Sequence, residues 1–287
     1  MKLSFPGHKN FDLSFTKIMG TITLDFDDKR EPAEILSEAE EFIKAGAEFI
    51  EIGVSHERGQ RGNESCVITV LEHLLSHLEV PVAVCSENKA VLINAIKLGV
   101  AMVITCNGIK SMQVLSALKE SKTVICLHAE SKDPIDDDVD LVSYLSEFFY
   151  TNIDMLLNRG IPRKRIILDP SIVNASEKGR MHLLGRLESF KSFALPMCIA
   201  MPRLIPYADQ FLSENKTLSL TASLFCSRIN EVKIIRTQDV SDASMAIGFW
   251  QLMTIKTRPY RLSKVFVRRL RTIRDSLRLM RKGLIKK

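Results

Sequence analysis

Cys85, Cys106 and Cys126 lie at or near the ends of three successive short apolar runs, and His128 follows the last of them by two positions. Thiols and an imidazole brought together bind soft or borderline cations, or work as a redox pair. Spacing alone favours the plainer reading, because cysteine is a common small core residue and successive strand residues face opposite ways. Asp169 closes another apolar run, Ile166-Ile-Leu-Asp. A carboxylate there accepts hydrogen bonds from a ligand, or caps the loop that follows. Arg58 and Arg236, after two further runs, together suit a small anion. Asp136 to Asp138 with Asp140 precede a helical pattern and read as a solvated helix N-terminus, where negative charge is favourable.

The elements that must position these groups are legible as an alternation of short β-rich runs with longer segments of helical periodicity, the pattern of parallel βα units. Strands are expected near Lys17 to Leu24, Phe49 to Val54, Pro81 to Cys85, Met102 to Cys106, Thr123 to His128, Ile166 to Asp169, Met197 to Met201 and Val232 to Arg236. The first helix, around Pro32 to Lys44, gathers Ile35, Ala39, Phe42 and Ile43 on one face and stops at Gly46. Later helices end near Gly99 and Gly160. Eight such repeats predict an α/β fold of the closed (β/α)8 TIM barrel type, with chemistry at the C-terminal ends of the strands.

A chain of 287 residues with 46% hydrophobic content can bury one such core, since these barrels run to about 250 residues. No stretch has the length and apolarity of a membrane span, and the first twenty residues lack a signal-peptide core, so a cytoplasmic location is expected. Six scattered cysteines without Cys-x-x-Cys pairs fit reduced, largely buried thiols. The net charge of +6 hides an asymmetry: residues 256–287 carry thirteen Lys or Arg against the single acid Asp275, leaving the remainder at −6. Within that tail Leu262, Phe266, Leu270, Ile273, Leu277, Met280 and Leu284 form one helical stripe. The expected organisation is a barrel over 1–256 and a basic amphipathic helical extension over 257–287. The extension suits packing on its own acidic barrel or a twin subunit, an anionic membrane surface, a protein partner and, least well, nucleic acid.

Several segments resemble the dihydropteroate synthase, or pterin-binding, family. The most specific is Gly160-Ile-Pro-Arg-Lys-Arg-Ile-Ile-Leu-Asp169-Pro170, similar to the family's run into its sixth strand. Ile18-Met19-Gly20 resembles the opening of the first strand, Ala45-Gly46-Ala47 with Phe49-Ile-Glu-Ile-Gly53 the second, and Arg236-Thr-Gln-Asp-Val240 the eighth. The matches fall in order across roughly residues 17 to 255.

The resemblance implies a barrel that joins a pterin pyrophosphate to para-aminobenzoate, with Mg²⁺ on the pyrophosphate, and a homodimer. Asp169 stands at the position of the family's strand-six aspartate, which accepts from the pterin ring. The strand-three aspartate is replaced by Cys85, the strand-four asparagine by Ile104 with Thr105 after it, and the strand-seven Ser-Arg-Lys by Pro202-Arg203-Leu204. On the phosphate side Thr23 stands for the first-loop asparagine, with Asp25 and Asp27 nearby as metal candidates. Arg58 is kept in the second loop, and Gln238 replaces the anion-binding histidine beside Arg236. A divergent member that does not run the standard reaction efficiently is therefore expected, binding another small anion or a pterin-like molecule. The alternatives are a functional dihydropteroate synthase, relying on Asp169, Arg58, Arg203 and Arg236, and an interaction or scaffold protein acting through its basic tail. A folate-dependent methyltransferase fits less well, because that branch also uses the strand-three and strand-four polar groups.

Overall fold

The computed structural model describes residues 2–24, 28–54, 64–130, 134–172, 175–201 and 231–254. Eight parallel strands close into a barrel: β3 (Lys17–Leu24), β4 (Phe49–Val54), β5 (Val82–Cys85), β6 (Met102–Cys106), β7 (Val124–His128), β8 (Ile166–Asp169), β9 (Met197–Ala200) and β10 (Val232–Thr237). They follow one another around the barrel in chain order, and β10 returns to pair with β3. The described helices on the outside are α1 (Pro32–Ala45), α2 (Glu64–His77), α3 (Lys89–Leu98), α4 (Met112–Glu120), α5 (Leu141–Asn158), α6 (Glu177–Gly185) and α7 (Val240–Thr254). Helix α1 begins at a capping box between Glu31 and Glu34 and ends where Gly46, at φ 119°, turns the chain left-handed.

Two apolar layers divide by strand alternation. Outward residues such as Ile18, Ile50, Val84, Val103, Ile125, Leu168 and Ile199 pack under the helices. Inward residues form a separate core of Met19, Phe49, Ala83, Met102, Ile104, Val124, Cys126, Ile167, Cys198 and Ile234. The helix layer is tight enough that a Cβ on Gly20 would come within 2.6 Å of the Phe42 ring.

A hairpin absent from the sequence expectation closes the other end. Strands β1 (Lys2–Phe5) and β2 (His8–Asp12) pair antiparallel around Pro6-Gly7, with Gly7 at φ 73°. Leu3, Phe5 and Leu13 join the inward core. The Phe5, Phe11 and Phe49 rings stack with centroids 4.8 to 5.5 Å apart. Because Phe49 opens β4, this plug seals the N-terminal end of the barrel and leaves the C-terminal end as its mouth. The basic tail, and with it the boundary near residue 257 and every partner suggested for it, lies outside the described residues. Among the described residues no helix is long and apolar enough to cross a membrane.

Candidate active site at the barrel mouth

Alternation that makes the lower barrel apolar turns polar at the strand ends. Thr21, Glu51, Cys85, Cys106, His128, Asp169 and Arg236 share the inward parity of the core residues two positions below them on their strands. Four of these form a buried charged network. Arg236 donates from Nε to Glu51 Oε2 at 2.7 Å and from Nη2 to Glu51 Oε1 at 2.5 Å, a fork-to-fork pair. Its Nη1 donates to Asp169 Oδ2 at 2.5 Å. His128 Nδ1 faces the same Asp169 oxygen at 3.3 Å, and the Ser171 backbone N–H donates to Asp169 Oδ1 at 3.0 Å. Thr21 Oγ1 donates to Glu51 Oε2 at 3.1 Å. Arg236 is 3% exposed, Glu51 1%, and Asp169 and His128 not at all.

The electrostatics follow from that geometry. Burial alone would raise the Asp169 pKa, but His128, Arg236 and the Ser171 bond outweigh it and hold the carboxyl below the usual range. Burial works against the Arg236 charge, yet Glu51 and Asp169 push its pKa well above the ordinary guanidinium value. The network sets two carboxyl groups, Glu51 and Asp169, against the Arg236 guanidinium.

A thiol group of residues adjoins it. Cys85 ends β5 and Cys106 ends β6, and the hydrogen bond between them, followed by burial and the nearby Glu130, pushes the Cys106 pKa up. Cys126 sits lower, in the inward core beside Cys198. Burial is the largest cause raising both of those thiols, as expected for inert core cysteines. The described cysteines form no disulfide.

The structure thus brings Asp169, Arg236 and Cys85 to one rim, in arrangements the sequence did not reveal. Asp169 accepts from Arg236 and Ser171 and stands 3.3 Å from His128, so a ring donor arriving there shares the carboxylate with them. Arg236 is held by two carboxyl groups, those of Glu51 and Asp169. Gln238 is exposed just beyond β10. Thr23 is exposed near the end of β3, and its carbonyl accepts from Arg30 Nη2 at 2.6 Å. Arg58, Arg203, Asp25 and Asp27 lie outside the described residues. At the β3 end the described groups do not make an oxygen cage for Mg²⁺, since Asp28 is paired with Arg30 at 2.5 Å and Thr23 offers a single hydroxyl. Glu51 is the member of the buried network that the sequence expectation does not name. Its signal was an acid at an inward position of Phe49-Ile-Glu-Ile-Gly53.

Comparison with known proteins places this geometry. The family described as pterin binding enzyme matches residues 24–235. A dihydropteroate synthase from Synechocystis is 23% identical over 207 residues, covering 66% of this chain and 72% of that protein. Among solved structures, Yersinia pestis dihydropteroate synthase in complex with a pterine-sulfa conjugate superposes with a TM-score of 0.74 at 22% identity, over 88% of this chain and 99% of that one. The Coxiella burnetii enzyme in complex with pteroic acid gives 0.75 at 20% identity, over 89% and 100%. A match across most of the barrel shows that this chain belongs to the pterin-binding enzyme family.

Proposed function

We propose that this chain is a divergent dihydropteroate-synthase-like barrel whose mouth takes a small anion, or a pterin-like molecule other than the standard pterin pyrophosphate, and which does not run the standard condensation at a useful rate. The observation that supports this most is the network of Glu51, Arg236, Asp169 and His128, in which both oxygens of the retained carboxylate already accept from protein donors, Arg236 and the Ser171 N–H. Two further positions point the same way. Cys85 offers a thiol where the family resemblance implies a carboxylate, and Ile104 packs its side chain into the inward apolar core where the resemblance implies an amide. Each lost hydrogen bond to a buried polar ligand costs about 1–3 kcal/mol, so Cys85, Ile104 and Leu204 together remove roughly two to six orders of magnitude in affinity.

A functional dihydropteroate synthase is the second reading, favoured by Asp169 and Arg236 standing at the expected strand ends. Incubating the protein at high concentration with pterin pyrophosphate, para-aminobenzoate and Mg²⁺ separates the two. The divergent reading expects no dihydropteroate above background. Product whose formation is abolished in Asp169→Ala establishes the synthase reading instead.

A further inference from the structure

We propose that Cys106, His128 and Glu130 form a site for a thiophilic divalent cation of the zinc type at the barrel mouth, independent of whether a pterin binds there. One ligand atom from each residue lies within 4.8 Å of the other two. A tetrahedron with bonds of 2.0–2.3 Å has edges of roughly 3.3–3.8 Å, so side-chain movements of about 1 Å complete the set. Thiolate sulfur, imidazole nitrogen and one carboxylate oxygen select zinc-like ions over Mg²⁺ or Ca²⁺, which take oxygen throughout. Three protein ligands leave a fourth position open for water or a substrate oxygen, as in catalytic rather than structural zinc sites.

The surroundings are those of a metal-binding histidine. Asp169 Oδ2 stands 3.3 Å from His128 Nδ1, and a carboxylate on one ring nitrogen orients the other toward a cation. Cys106 and His128 are cross-strand partners, each the last residue of its strand. The loops beyond them are tied together: the Asn107 backbone N–H donates to the His128 carbonyl at 2.9 Å, and the Glu130 N–H donates to Asn107 Oδ1 at 2.9 Å. Asn107 and Gly108 hold the chain left-handed at φ 59° and 75°, which turns it sharply after Cys106. The fixed charge also favours a cation, because Glu51, Asp169 and Glu130 face a single described guanidinium, that of Arg236. His128 is buried, whereas Cys106 and Glu130 are half-buried, so an ion has a path in from the mouth.

Cobalt substitution tests the site directly. The full chain, reduced and freed of metal with a chelator, is titrated with Co²⁺ while thiolate-to-cobalt and visible d–d absorption are recorded. The expected result is saturation at one equivalent with the intensity of four-coordinate cobalt, reversed by Zn²⁺. Cys106→Ser abolishes the thiolate band. Loss even of an outer partner weakens metal sites about 10- to 100-fold, so Glu130→Gln weakens binding at least tenfold. Cys66→Ser on α2 leaves the titration unchanged. Circular dichroism confirms that each variant is folded, and the half-buried Glu130 supplies a readout that does not depend on core packing. Absence of a thiolate band in the parent protein, its persistence in Cys106→Ser, or equal affinity in folded Glu130→Gln overturns the proposal.

Discussion

Replacing Arg236 by methionine removes the guanidinium that pairs with two buried carboxyl groups. The side chain is 3% exposed and makes three charge-assisted hydrogen bonds, two to Glu51 and one to Asp169. Breaking a buried ion pair from one side costs about 3–5 kcal/mol, because the remaining charge is stranded without solvent. For a protein of this size that corresponds to a fall in melting temperature of roughly 6–20 °C. The penalty has a defined pH dependence. In the parent protein the folded Asp169 pKa lies below its unfolded value, so its contribution is present above pH about 4 and is lost as pH falls through the folded value. Arg236 is one of the groups that hold the Asp169 pKa down, so without the guanidinium the folded Asp169 pKa moves up from its value in the parent. Relative to the parent, the folded variant binds the Asp169 proton more readily, so its deficit shrinks as the pH falls through the variant's Asp169 pKa. Urea unfolding near neutral pH and below pH about 4 measures both quantities. The triple variant Glu51→Gln, Asp169→Asn, Arg236→Met recovers much of the loss, since no charge is left unpaired. A deficit under about 1 kcal/mol, or one equal at the two pH values, refutes the pairing of Arg236 with the buried carboxyl groups.

Phe5→Ala in the N-terminal hairpin empties the plug against Phe11 and Phe49 and costs about 3–5 kcal/mol in urea unfolding, while leaving cobalt titration at the opposite end unchanged. Arg165, in the 3₁₀ turn before β8, donates to the carbonyls of Leu118 and Thr123. Arg165→Ala leaves those acceptors buried and lowers stability by about 1–3 kcal/mol in the same assay. Mass-spectrometric alkylation in the native state should modify half-buried Cys66 before Cys126 and Cys198, whose thiols are fully buried and raised in pKa. Equal labelling of all three contradicts the inward placement of that pair.

Barrel strands were legible because each is a short apolar run with glycine-terminated helices between. Lys17–Leu24, Phe49–Val54, Met102–Cys106 and Ile166–Asp169 agree residue for residue, and the other four differ only at their ends. The β1–β2 hairpin was not anticipated, although Pro6-Gly7 between alternating apolar residues is a turn signal. Spacing left Cys106 and His128 undecided, whereas strand register settles that they are cross-strand partners and that Cys126 faces the core two residues lower. Glu51 and Arg236 are 185 positions apart, so only barrel closure brings them together. The family resemblance located Asp169 and Arg236, but it carried no information that they would bind each other.

Calorimetric titration with a pterin pyrophosphate analogue in Mg²⁺, with Asp169→Ala alongside, tests the divergent reading of the mouth most directly. That reading predicts binding too weak to saturate at millimolar ligand, and no difference between the parent and the variant. Micromolar binding by the parent protein, lost in Asp169→Ala, contradicts it: Asp169 then trades Arg236 for the pterin, and the barrel retains the family's substrate site.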